Sequence, residues 1–201
     1  LPGTGGNGNI TAPPAFTASA LAVVDGTFMP NTNAATPATI STTALTYDFS
    51  PETSYGNQYG AWYNGSNGID NPSGAAGLPN FTGDSAFHSL LAGHATKGIT
   101  FDLDAVRSTG ASFNAFTAYL GDSRPKAGGS ISYYLLVDGA LKANRNDVTN
   151  SEDFVAIPLA ASDRFLTIVF ADARIADINS DHSYAGDPFL RTASVWTGAT
   201  D

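Results

Sequence analysis

Asp177, Asn179 and Asp181 stand at alternate positions in the stretch Asp177-Ile178-Asn179-Ser180-Asp181. Such spacing lets oxygen donors converge on one hard cation, and calcium accepts mixed sets of carboxylate and neutral oxygens. The stretch lacks the glycine and the distant bidentate glutamate of an EF-hand. The expectation is therefore a structural calcium held by Asp177, Asn179 and Asp181. The competing reading is a solvated acidic turn whose aspartates cap backbone amides.

A second group is aromatic. Tyr55, Tyr59, Trp62 and Tyr63 lie close together beside Asn57, Asn64 and Asn67. A sugar site needs a flat apolar ring for the C–H face of a pyranose and amide or carboxylate groups for its hydroxyls. Tyr55, Trp62, Tyr63 and Asn64 supply that chemistry next to the long Gly-rich loop 65–83, and binding residues concentrate on loops. The alternative is that these rings are ordinary sandwich core. Tyr133 and Tyr134 are expected on opposite strand faces, with at least one exposed, and Trp196 is expected to close the core.

The three histidines are His88, His94 and His182. His94 and His182 are expected to lie together, as hydrogen-bonding partners of sugar hydroxyls or of buried carboxylates. His88 reads as a plain strand residue. Catalysis has little support. No Gly-x-Ser-x-Gly elbow, phosphate loop or dinucleotide fingerprint occurs. Glu52 and Glu152 are the only glutamates, and neither sits in an apolar context suited to paired-acid glycoside cleavage.

Composition narrows the partners. The net charge is −9, and Lys97, Lys126 and Lys142 are the only lysines. A nucleic-acid binder needs clustered cations to release counterions, so nucleic acid is excluded as a partner, and an anionic membrane surface is disfavoured. With no cysteine, disulfides, thiolate metal sites and a cysteine nucleophile are ruled out. No apolar run approaches the roughly 20 residues of a membrane-spanning helix, so no membrane insertion is expected. Leu1 is not an initiator methionine, which fits removal of a leader or an upstream domain. Leu1–Gly5 matches the sortase pattern LPxTG, but that signal belongs near a C-terminus and reads here as coincidence.

The elements that must position these groups are short. Residues 1–15, rich in Gly, Pro and Asn, read as a linker or arm, and 16–201 as one domain. Strands are expected over Phe16–Val24, Thr39–Phe49, Gly60–Tyr63, Phe87–Ala95, Ile99–Leu103, Phe113–Leu120, Ser130–Val137, Phe154–Leu159, Phe165–Ala171 and Phe189–Trp196. Asp25-Gly26 and Asp138-Gly139 are expected turns. Ile99, Phe101 and Leu103 alternate with Thr100, Asp102 and Asp104, as in a half-buried strand. Phe165–Phe170 is apolar almost throughout, as in a strand buried on both faces, and Ser130–Val137 is like it. Only Asp104–Ser108 looks helical. The fold class is all-β, an antiparallel β-sandwich or jelly roll.

Residues 94–190 resemble the carbohydrate-binding module found at the N-terminus of some glycoside hydrolases, the NPCBM family. Three stretches carry the resemblance. His94–Leu103 has a His-Ala pair before a strand ending in Asp-Leu. Phe113–Gly121 and Ser130–Gly139 are a strand ending in Gly and one closing on Asp-Gly. Asp177–Leu190 is similar to the family's closing Asp-His-aromatic-Ala-Asp signature, with Tyr184 where the family often has Trp. The resemblance implies a galactose-binding-like jelly roll acting as a non-catalytic accessory of a larger exported or cell-surface bacterial protein. Its implied ligand is a glycan, in one version galactose-containing, with His94, His182, Tyr184 and Asp187 in the site. A structural or adhesive cell-surface domain and a small glycan-cleaving enzyme are the alternatives.

Overall fold

The computed structural model describes residues 9–10, 16–30, 37–49, 58–59, 62–65, 89–122, 130–149, 151–173 and 181–192. Short strands come first: β1 (Asn9–Ile10), β2 (Thr17–Ala18), β3 (Val24–Phe28), β4 (Ala38–Thr39), β5 (Thr46–Tyr47), β6 (Gln58–Tyr59) and β7 (Trp62–Gly65). Longer ones follow: β8 (Leu90–His94), β9 (Lys97–Asp102), β10 (Ala115–Asp122), β11 (Ile131–Val137), β12 (Ala140–Val148), β13 (Glu152–Pro158), β14 (Phe165–Asp172) and β15 (His182–Arg191). The one described helix, α1 (Leu103–Ser108), starts where the Asp102 carboxylate accepts the Ala105 N–H at 3.0 Å, an N-cap. No described helix is long and apolar enough to cross a membrane.

Two large antiparallel sheets dominate the described residues. One has the order β13-β10-β15-β8-β7 and the other β12-β11-β14-β9-β3-β2; β1 pairs β6, and β4 pairs β5. Period-2 alternation sends Phe116, Ala118 and Leu120 of one sheet inward against Leu135, Ile168 and Phe170 of the other, and all six are buried in one cluster. Each large side chain fully buried there contributes about 1.5–3 kcal/mol relative to exposure. Asp138-Gly139 is the expected two-residue turn, with φ of 49° and 78° between register partners Val137 and Ala140, the backbone that favours Asp-Gly in hairpins.

The six-stranded sheet is covered on its outer side too. Residues 37–49 lay Ile40 and Phe49 over Phe28, Tyr134, Leu136 and Val169, with the Phe49 and Tyr134 rings edge to face at 5.4 Å. At Gly98, register partner of Phe28, a Cβ would fall within the Phe28 ring. The second layer explains three departures from the sequence reading. Thr100 is fully buried, donating to the Ile40 carbonyl at 2.6 Å and lying 2.9 Å from Thr167 Oγ1, so β9 is buried on both faces there. Tyr133 and Tyr134 do point to opposite faces, but both are buried. Thr39–Phe49 is a small hairpin folded onto the sheet, not one strand.

Other boundaries differ too, among them Phe16–Val24, which holds β2, a turn at 20–23 and the start of β3. Asp25-Gly26 lies inside β3 and not at a turn, because β3 pairs with β9 through a register shift at that point. The segment 182–187, read as loop, is the first part of β15, which pairs with both β8 and β10.

Candidate functional site

One end of the sandwich gathers polar residues in an interior otherwise filled by hydrocarbon. Lys97 continues the inward phase of Ile99, Asp122 that of Leu120, and Asp172 that of Phe170. With Thr96, Ser130, Asp181 and Ser183, these residues are at most 2% exposed. Such burial demands partners, and specific hydrogen bonds between distant parts of the chain supply several of them. Asp181 Oδ1 accepts the Ser130 N–H at 2.9 Å, and its carbonyl accepts the Ala95 N–H at 2.9 Å. Thr96 Oγ1 accepts the Asp172 N–H at 3.2 Å, and Ser183 Oγ donates to the Gly93 carbonyl at 2.7 Å. Ser130 Oγ donates to Asp147 at 2.5 Å. Burial pulls the Lys97 ammonium down to about 7. These bonds knit the ends of β8, β11, β12, β14 and β15 together.

His94 and His182 meet here. They are register partners on β8 and β15, next in sequence to the network residues Ala95, Asp181 and Ser183. The row two residues further along crosses all five strands, from Tyr63 through Ala92, Tyr184 and Gly121 to Glu152. Register therefore places Tyr63, Tyr184, His94 and His182 at the same end of one sheet. Trp62 pairs with Gly93, and Asn64 with Leu91.

Tyr184 needs a correction. It is fully buried, and its hydroxyl donates to the Glu152 carboxylate. With no ring face open to solvent, it is a packing residue and not a stacking platform. Asp187 takes a positive φ of 46° at an irregularity in β15, and its Oδ1 accepts the Ser89 N–H at 3.0 Å. Of the expected calcium ligands only Asp181 is described. Asp177, Asn179, Tyr55, His88, Trp196 and Leu1–Gly5 lie outside the described residues.

The sequence reading missed an aromatic shelf on the outward face of the five-stranded sheet. Phe154 is 56% exposed, and its ring centroid lies 5.1 Å from that of Tyr119. Phe189 is 37% exposed beneath the Arg191 guanidinium, 5.1 Å from the ring centroid. A signal was present in the strand Glu152–Pro158, where Val155 and Ile157 hold the inward phase. Phe154 falls on the outward phase with Glu152 and Ala156.

At the opposite end, between the sheets, a cavity of about 480 Å³ is lined mainly by apolar side chains, among them Leu91, Leu103, Val106, Phe116 and Leu190. Among the described residues Ser89 is the one polar member of its lining, so they offer little to sugar hydroxyls.

No protein-family model and no curated protein matches the chain. Similar solved structures include the CBM51 of Clostridium perfringens GH95 in complex with methyl-galactose. It is 22% identical with a TM-score of 0.46, over 52% of this chain and 70% of that one. The CBM51-2 and INT domains of Clostridium perfringens ZmpB are 19% identical with a TM-score of 0.44, over 53% and 22% of the two chains. The tandem CBM51 modules of Sp3GH98 from Streptococcus pneumoniae are 14% identical with a TM-score of 0.43, over 53% and 33%. This chain thus spans a third or less of the last two. These neighbours are carbohydrate-binding modules.

Proposed function

We propose that this chain is a non-catalytic glycan-binding domain of an exported or cell-surface bacterial protein. Residues 16–201 form its single domain and 1–15 a linker or arm. The observation that carries the reading is the register pairing of His94 with His182. Two separate stretches that resemble carbohydrate-binding modules, 94–103 and 177–190, thereby contribute register partners on adjacent strands. Their sequence neighbours Ala95, Asp181 and Ser183 belong to the buried polar end. The ligand is a glycan, with galactose-containing chains the first to test. Other domains of a larger protein are the expected companions.

The test is a glycan array followed by calorimetry on the best ligand. His94→Ala and His182→Ala should each weaken binding about tenfold or more without unfolding the domain. A folded domain that binds no glycan would sink the reading. We further propose a structural calcium at Asp177, Asn179 and Asp181. Added calcium should raise the melting temperature and EDTA should lower it; an unchanged melt removes the metal.

The second reading is a structural or adhesive spacer, favoured by the burial of Tyr184. Under it, Trp62→Ala and Tyr63→Ala change folding or a protein contact and leave sugar binding untouched.

A further inference from the structure

We propose that the outward face of the five-stranded sheet at Phe154, Tyr119 and Phe189 is a second surface for the same glycan, stacking neutral pyranose rings beyond the His94 and His182 end. The proposal rests on the glycan-binding reading.

Its geometry comes from register. Thr117 on β10 pairs with Ala156 on β13 and with Phe189 on β15, while Tyr119 pairs with Phe154 and with Gly186. Phe154 and Phe189 thus stand on strands either side of β10, about 10 Å apart across the sheet. Small residues fill the intervening positions. Gly186, Thr117 and Ala156 leave the face shallow, without the tall walls around which protein anchor side chains are desolvated. A flat ring needs no such walls.

Polar groups at this face fit hydroxyls. Thr117 is 8% exposed and its hydroxyl oxygen is buried, so it contributes low relief and not a sugar contact. Arg191 lies over the Phe189 ring and keeps a fork of N–H donors. Glu152 lies beside Phe154 on the outward phase and accepts from Tyr184.

Charge selects the occupant. Among the described residues one cation, Arg191, and one carboxylate, Glu152, flank the shelf, so their charges balance, while the whole chain carries −9. An acidic partner meets the overall negative field, and a basic one meets a carboxylate already bonded to Tyr184. An uncharged, hydroxyl-rich ligand meets neither obstacle.

The experiment compares the parent chain with Phe154→Ala, Phe189→Ala and the double variant, and with Leu141→Ala on the other sheet as a control. Binding of a monosaccharide and of a longer oligosaccharide from the same array hit is measured by calorimetry, with melting temperature and sedimentation for each protein. Each single change should weaken the oligosaccharide about tenfold, and the double change further. Monosaccharide affinity should stay at the parent value. Oligosaccharide affinity unchanged in the folded double variant overturns the shelf and leaves the glycan-binding reading standing. A parent chain that binds no glycan overturns both. A change in sedimentation with unchanged sugar affinity marks a protein contact and also overturns the proposal.

Discussion

The Tyr184 hydroxyl reaches the Glu152 carboxylate across a strand that carries neither residue. Both pair with Gly121 of β10, Tyr184 from β15 and Glu152 from β13. A Cβ at position 121 would come within 2.5 Å of the Ser151 carbonyl and 2.8 Å of Glu152 Cβ. Glycine there clears the space over which the tyrosine lies, and the bond fastens edge strand β13 to the middle of its sheet.

Tyr184→Phe removes that bond and should cost about 1–2 kcal/mol in urea unfolding, since water can still reach the half-buried Glu152. Gly121→Ala meets a backbone carbonyl that has no rotamer to change, and should cost about 1–3 kcal/mol. If Gly121→Ala matches the parent in stability, the close approach over β10 is wrong.

Lys97 sets a pH dependence in the alkaline range. Burial lowers its pKa to about 7 from an ordinary 10.5. The unfolded chain then holds the additional proton between those values, so stability rises as pH climbs from about 7 toward 10. Lys97→Met should flatten this rise. A parent whose urea midpoint does not move over that range contradicts the assignment.

Tyr133 acts in the opposite direction and at higher pH. Burial, together with the bond its hydroxyl donates to Asp153 at 3.0 Å, pushes its pKa up to about 12. The folded pKa is above the unfolded one, so this stabilisation is present below about pH 10 and lost between about 10 and 12. Tyr133→Phe should abolish that loss. Spectrophotometric titration at the tyrosinate band checks it directly, with the parent's late-ionising component reduced in Tyr133→Phe.

Much of the fold was legible because strand periodicity is local. Phe165–Phe170 reads as buried on both faces and is, and Asp138-Gly139 reads as a turn and makes one. Thr100 shows where that logic stops. Its hydroxyl marks a solvent face in an alternating strand, yet here the partner is the Ile40 carbonyl, sixty residues away. No window around position 100 contains that carbonyl. Phe154 is the converse case, an aromatic on the outward phase that nothing among the described residues fully covers.

The candidate site divides in the same way. Sequence placed His94 and His182 in motifs that ought to meet, and register brings them opposite one another. It could not show that Tyr184, in the same motif, is spent on packing, because that depends on Gly121 and Glu152 from two other strands.

By itself, then, the sequence determined the all-β class, the inward phase of β9 and β13 and the exclusion of disulfide and thiolate chemistry, all of which follow from residue type and spacing of two. Only the tertiary structure decided which polar residues are buried and which aromatic ones face water. Burial is set by the strand or loop laid across a face, and that neighbour comes from a distant part of the chain.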